Sequence, residues 1–119
     1  MTGLYDVYFY RDKNGKEPVA DYLRELKRKN DKDSRIKLQK IRDYINILKE
    51  YGTRMKYLDG DIWERRPGSN RVLFAAWYRG SFVLLHSFVK KTQKTPVREI
   101  DQAKRELADL IERSKPSKV

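Results

Sequence analysis

The sequence predicts an α+β fold in which one N-terminal strand and two helices precede a three-stranded antiparallel β-meander and a C-terminal helix. Three observations predict it. Apolar residues recur with a helical period in three segments, β-forming runs separated by turn residues fill positions 62–90, and 119 residues suffice for one hydrophobic core. We therefore expect a single domain over residues 1–113 and a disordered tail over residues 114–119.

The N-terminal elements follow from local patterns. Tyr5–Tyr10 alternates in the manner of a strand and ends at the turn-forming residues 11–15, so we expect it to lie against the later hairpins. Pro18 begins a helix that reaches about Lys29, and a second helix runs from about Asp33 to Tyr51 before Gly52. Apolar residues three and four positions apart line one face of each helix, which predicts an antiparallel pair.

The meander consists of Ile62–Arg66, Arg71–Tyr78 and Ser81–Lys90, joined by a four-residue turn and by Arg79-Gly80. If the turns join directly opposed ends, the pairs are Arg66–Arg71, Glu64–Leu73, Leu73–His86 and Arg71–Phe88. After the meander, Thr95 and Pro96 are expected to act as the N-cap and first-turn proline of a helix over about 96–113.

This register gives the meander two different faces, because neighbouring strand residues point to opposite sides of a sheet. One face is apolar apart from Arg65 and is expected to pack on the helices; it holds Trp63, Val72, Phe74, Ala76, Val83, Leu85 and Val89. The other face collects the charged and polar side chains; it holds Glu64, Arg66, Arg71, Leu73, His86, Phe88 and Lys90.

The charge of the chain predicts a polyanionic partner. There are 28 Lys and Arg against 17 Asp and Glu, a net charge of +11, and residues 54–94 contribute +6 of it. Cysteine is absent and there is one histidine, so we expect no disulfide, no metal site and no cofactor. The chain also lacks a signal-peptide pattern and an apolar run of the ~20 residues that a membrane span needs. These features predict a soluble, cytoplasmic protein.

Two arginines opposed across a hairpin destabilise a sheet unless something neutralises them. Glu64 can do so in part, and a phosphate group fits the planar guanidinium donors. Such a face suits RNA cleavage without a metal, in which the ribose 2′-OH attacks the adjacent phosphate, and it suits RNA binding without cleavage equally well. Phe88 offers a ring for base stacking, although a single aromatic residue is more often part of a core.

Three stretches of the sequence resemble a known family. They are Ile62-Trp-Glu-Arg-Arg66, Asn70-Arg-Val-Leu-Phe74, and Leu84-Leu-His-Ser-Phe-Val-Lys-Lys-Thr-Gln-Lys-Thr-Pro96 with Glu99, Ile100 and Ala103 downstream. Together they resemble the phage-derived Gp49-like group of HigB-type toxins in the RelE/ParE superfamily. The resemblance runs from about Tyr5 to Leu110. It implies a small twisted antiparallel sheet with two N-terminal helices on one face and a terminal helix after the last strand.

The resemblance also implies an activity, which is ribosome-dependent endonucleolytic cleavage of mRNA. A HigA-type antitoxin with a helix-turn-helix domain would neutralise the toxin in a heterotetramer of two toxins and two antitoxins. The residues implied to act are Arg66 and Arg71, which would hold the phosphate, and Lys90 or Lys91, which would stabilise the leaving oxygen or the pentacoordinate state. The resemblance supplies no general base, so Glu64 and His86 are our own candidates for proton transfer, with a purely structural role as the alternative. Arg65 departs from the aliphatic residue that is commoner at its position and is expected to extend the basic patch, and Lys56, Phe88 and Lys94 are the expected RNA contacts.

Two other functions remain open at this point. The same scaffold serves ParE-like proteins that inhibit DNA gyrase without cleaving RNA, and a basic sheet face also serves RNA-binding modules that have no activity. The Lys90-Lys91 pair and the Arg66/Arg71 pair favour the nuclease.

Overall fold

A computed structural model describes residues 4–52, 57–59, 62–77, 80–91, 94–113 and 117–118. In chain order the elements are β1 (Asp6–Phe9), α1 (Pro18–Lys29), α2 (Lys32–Tyr51), β2 (Tyr57–Asp59), β3 (Ile62–Arg65), β4 (Asn70–Trp77), β5 (Ser81–Val89), α3 (Val97–Arg113) and β6 (Ser117–Lys118). The strands form one sheet in the order β2-β3-β4-β5-β1-β6. The predicted α+β class, with two N-terminal helices and a C-terminal helix, is confirmed.

The helix ends follow from local chemistry. The Asp31 carboxylate accepts a hydrogen bond from the Ser34 backbone N–H and caps α2. At its other end, Gly52 has a φ of +68°, and a Cβ there would lie 2.9 Å from the Tyr5 ring. The predicted stop at Gly52 is therefore confirmed, because this position requires both a left-handed φ and the absence of a side chain.

The strand β1 gives the sheet a mixed character that the sequence did not predict. It runs parallel to β5, with Asp6 opposite Ser81 and Phe9 opposite Leu84. On its other side it pairs antiparallel with β6, which lies within the tail that was expected to be disordered. The N-terminal strand is therefore interior to the sheet and not an edge.

Three of the four predicted meander pairs are observed, whereas Arg66 follows the end of β3 and its predicted pairing with Arg71 is not part of the ladder. Glu64 pairs with Leu73, Leu73 with His86 and Arg71 with Phe88, as the alternation predicted. Beyond Leu73 the register shifts by one, because Phe74 pairs with Leu84 and leaves Leu85 as an extra residue. This β-bulge puts both Leu85 and His86 on the side of the sheet that faces α3.

The bulge overturns part of the predicted face assignment. Val83 and Leu85 pack on the α3 side, and Phe82 and Leu84 take their places on the α1–α2 side. Ala76 and Val89 were also expected in the core but are exposed, since both lie near the ends of their strands. The apolar residues consequently form two cores, one on each side of the sheet.

The first core lies between the sheet and the α1–α2 pair and is built around Phe74, whose ring centroid is 5.9 Å from that of Phe82. The second lies between the sheet and α3, where Ala103, Leu107 and Leu110 are buried. Within the described residues, no helix is both long and apolar enough to cross a membrane.

The start of α3 differs from the prediction. The helix begins at Val97, and the Pro96 carbonyl accepts hydrogen bonds from the backbone N–H groups of Glu99 and Ile100. Thr95 therefore precedes the capping position, and its hydroxyl donates to Glu64. The C-terminal half of α3 is linked to the residue that follows β1, since the Tyr10 hydroxyl donates to Asp109 Oδ2 at 2.5 Å.

Replacing Tyr22 with phenylalanine is expected to lower the free energy of unfolding by about 1–2 kcal/mol. The Tyr22 hydroxyl donates to Oδ1 of the fully buried Asn70 at 2.9 Å, and Asn70 Nδ2 has no hydrogen-bond partner among the described residues. Without that hydroxyl the buried amide loses its remaining side-chain partner. Urea unfolding at unchanged m-value measures the effect. Tyr44→Phe serves as the control and should leave stability within about 0.5 kcal/mol.

Candidate functional site

Polar side chains gather at one end of the sheet, where β3 ends, β4 begins, β5 ends and α3 begins. Strand alternation and the bulge direct them to the α3 side. We call this group the sheet-end cluster; its members are Glu64, Arg66, Arg71, His86, Phe88, Thr95 and Glu99. Residues separated by more than 30 positions in sequence thus meet in one place.

Glu64 is the buried centre of this cluster. Its side chain is 6% exposed, and its Oε1 accepts a hydrogen bond from Arg66 Nε at 2.8 Å. Its Oε2 accepts from the buried Thr95 hydroxyl. Arg66 itself is 52% exposed, so its guanidinium reaches solvent while the carboxylate fixes its position. Both Glu64 oxygens are engaged, which makes the carboxylate an anchor for Arg66.

Arg71 is a buried cation beside this pair. The residue is 5% exposed, and its Nη1 donates to the Asn70 carbonyl at 2.9 Å and to the Gly68 carbonyl at 3.2 Å. Among the described residues, Nε and Nη2 make no hydrogen bond and the guanidinium has no carboxylate within ion-pair distance. Burial lowers the pKa of Arg71, the charge of Arg66 lowers it further, and Glu64 opposes part of the effect. An anion bound here would relieve that unfavourable environment.

His86 and Glu99 form a second polar pair. Nε2 of His86 lies 2.7 Å from Glu99 Oε1, and the imidazole stacks on the Phe88 ring at a centroid distance of 6.0 Å. A neutral imidazole that donates from Nε2 to Glu99 has an acceptor at Nδ1. In that tautomer the pair offers a proton acceptor next to an aromatic ring.

The other predicted site residues fall in different places. Lys90 directly follows the end of β5, and its backbone N–H donates to the Ser69 carbonyl at 2.7 Å. Lys91 and Lys94 are exposed in the connection from β5 to α3. Lys56 lies outside the described residues.

Arg65 does not extend the basic patch as expected. Its guanidinium carbon lies 4.2 Å from the centroid of the Tyr44 ring, on the α1–α2 side of the sheet. The reason is strand alternation, which sends Arg65 and Arg66 to opposite faces. Arg65 is thus a cation–π contact with α2 and is separated from the sheet-end cluster.

The sequence did not identify Thr95 and Glu99 as members of this site. Thr95 resembled a helix cap, and Glu99 lay in the first turn of the helix, a usual place for an acidic residue. Their partners, Glu64 and His86, are on strands, and no local pattern predicts such long-range pairs. Among the described residues, no three His, Asp or Glu side chains converge as a metal site.

Thr95→Val is expected to reduce the free energy of unfolding by about 2 kcal/mol, because a buried carboxylate oxygen loses its hydroxyl donor. Valine keeps nearly the same shape, so the change isolates the hydrogen bond. Thr95→Ser retains the hydroxyl and provides the matched control. Equal stabilities of Thr95→Val and wild type in chemical denaturation would show that this contact contributes nothing.

A family model described as phage-derived protein Gp49-like (DUF891) matches residues 21–108, roughly three-quarters of the chain. The matched range includes every member of the sheet-end cluster. No curated protein sequence matches the chain.

Proposed function

The chain belongs to the phage-derived Gp49-like family, a toxin-like family of the RelE/HigB type, and from this premise we propose that it is an mRNA-cleaving toxin. The observation that carries the proposal is the sheet-end cluster, where an exposed and a buried arginine adjoin a histidine–carboxylate pair. These groups match the needs of phosphodiester cleavage by an internal nucleophile.

In the proposed reaction the 2′-oxygen of a ribose forms a bond to the neighbouring phosphorus, and the bond from phosphorus to the 5′-oxygen breaks. Nδ1 of His86 takes the proton from the 2′-OH, while Glu99 holds the imidazole in the required tautomer. A protonated lysine, Lys90 or Lys91, donates the proton that converts the departing 5′-oxygen into a 5′-OH. The products are a 2′,3′-cyclic phosphate and a 5′-OH.

The two arginines stabilise the negative charge that develops on the phosphate. Arg66 has the exposed guanidinium and approaches the phosphate directly, and Glu64 together with Thr95 keeps it in place. Arg71 contributes a cation that is shielded from water, where charge acts more strongly. In this scheme Glu64 is a positioning residue and not the proton acceptor, because both of its oxygens accept hydrogen bonds.

Phe88 is proposed to stack on an unpaired base next to the scissile bond, with His86 behind its ring. Lys94, Lys91 and Lys56 would contact the RNA backbone or ribosomal RNA. The proposed partners are therefore mRNA on the ribosome and a HigA-type helix-turn-helix antitoxin, in a heterotetramer with two copies of each chain and a cytoplasmic location.

The test is induced expression followed by mapping of transcript ends. Growth arrest with new 5′-OH ends within coding regions, abolished by Arg71→Ala, is the expected result. Intact transcripts with DNA breaks would favour the ParE-like gyrase inhibitor. Harmless expression in a host without antitoxin would favour a binding module and end the nuclease proposal.

A further inference from the structure

The helices α1 and α2 border a groove of about 410 Å³ on the side of the sheet opposite to the sheet-end cluster. Its floor is apolar and includes Phe9 of β1, Leu23 of α1 and Ile45 of α2. A concave apolar surface of this size accommodates a few aliphatic side chains of a ligand.

The rim of the groove is cationic. Arg24 and Lys27 line it from α1, and Arg42 and Lys49 line it from α2, with no carboxylate among the lining residues. Arg24 is paired with Asp21 of its own helix and with Glu17, which directly precedes that helix. Lys27, Arg42 and Lys49 make no ion pair with the described residues. Three uncompensated cations thus surround an apolar floor.

We propose that this groove binds an acidic, amphipathic peptide segment of a partner protein. Aliphatic side chains of the segment fill the floor over Leu23 and Ile45, and its carboxylates pair with Lys27, Arg42 and Lys49. This arrangement is the recognition mode in which one apolar stripe enters a groove and the flanking charges fix its register.

A nucleic acid fits the groove less well. Its phosphates would match the rim, but single-stranded bases bind by stacking on exposed aromatic faces. The floor offers aliphatic side chains and one half-buried ring, Phe9. The chemistry of the groove therefore favours a peptide, and this inference holds whether or not the sheet-end cluster cleaves RNA.

The experiment selects short random peptides displayed on phage against the immobilised full-length protein. Recovered peptides are synthesised with a fluorescent label, and their affinities are measured by anisotropy at low and high salt. We expect the peptides to combine Asp or Glu with Leu, Ile or Val, and to bind more weakly as salt rises.

The decisive comparison uses the variant Lys27→Glu/Arg42→Glu/Lys49→Glu against Lys13→Glu/Lys16→Glu/Lys32→Glu. Both carry the same change of charge, and all three control positions are exposed and outside the groove. The groove variant should bind the peptides at least about tenfold more weakly, and the control should retain binding. Circular dichroism and thermal melting establish that both variants are folded.

Three results would overturn the proposal. They are a selection without binders, peptides that lack acidic and aliphatic residues, and peptides that bind both variants equally. The affinities of both variants for a labelled single-stranded RNA are measured in the same way. If the groove variant loses affinity for this RNA while peptide binding is unaffected, the groove is a nucleic-acid surface and the peptide assignment is wrong.

Discussion

Replacing Arg71 with alanine is expected to reduce transcript cleavage by about two to three orders of magnitude. Arg71 places a positive charge in a poorly hydrated position beside Arg66. In the proposed mechanism this charge stabilises a phosphate that gains negative charge during the reaction. Removal of a preorganised group of this kind acts on the transition state more than on the bound substrate. In single-turnover assays on programmed ribosomes, the rate of the chemical step should fall while RNA affinity changes little.

A matched set of variants separates this role from a structural one. Arg71 also holds the loop between β3 and β4 through the carbonyls of Gly68 and Asn70, so thermal melting must accompany each assay. Arg71→Lys keeps the charge but not the planar donor group and should recover part of the rate. Arg105→Ala removes an exposed arginine of α3 and should cleave at the wild-type rate. A folded Arg71→Ala protein that cleaves at the wild-type rate would exclude Arg71 from the mechanism.

The free energy of unfolding is expected to fall as the pH rises from about 4.5 to about 8, and Glu106 is the cause. This α3 residue is 5% exposed, and its Oε1 makes no hydrogen bond to the described residues. Burial raises the pKa of Glu106 to about 8, with Asp12 and Glu99 adding to the effect while Gln102 and Arg105 oppose it. Between the unfolded and folded pKa values, the folded chain holds a proton that the unfolded chain has released, so increasing pH favours unfolding.

Glu106→Gln removes this ionisation and keeps the shape of the side chain. The variant should match wild type near pH 4.5 and exceed its stability by up to about 5 kcal/mol above pH 8, since each unit of pKa difference is worth about 1.4 kcal/mol. Denaturant unfolding at several pH values measures the difference. Glu112→Gln changes an exposed carboxylate of the same helix and is the control. If the free energy of unfolding varied with pH in the same way for wild type and Glu106→Gln, Glu106 would not be the cause of the pH dependence.

The polar half of the meander could be predicted from sequence because alternation and turn length determine its register. Glu64, Arg66, Arg71 and His86 accordingly lie on the expected side of the sheet. The bulge at Leu85 could not be predicted in this way. The run Phe82–Leu85 is buried on both faces of the sheet, so its side chains carry no alternation of polarity that could reveal a shift of one residue.

The remaining differences arise from contacts between distant parts of the chain. The parallel pairing of β1 with β5 depends on the order in which the strands assemble into the sheet. No residue pattern in Tyr5–Tyr10 indicates whether the adjacent strand will be parallel or antiparallel. Likewise, Thr95 and Glu99 join the candidate site through strands that precede them in sequence. Alternation placed Arg65 on the helix-facing side of the sheet, as observed, but no local pattern reveals that its guanidinium packs on Tyr44 instead of extending the basic patch.

The interior position of β1 affects how the chain can fold during its own synthesis. The ribosome makes β1 first, yet its parallel partner begins only at Ser81. Until β5 has been made, the backbone groups of β1 that will pair with it have no hydrogen-bond partners. Bringing β1 and β5 together also closes the long intervening chain, which is slow relative to local helix formation. A nascent chain that ends before β5 also lacks His86 and Phe88 of the sheet-end cluster, so neither the sheet nor this cluster can be completed until β5 has been made.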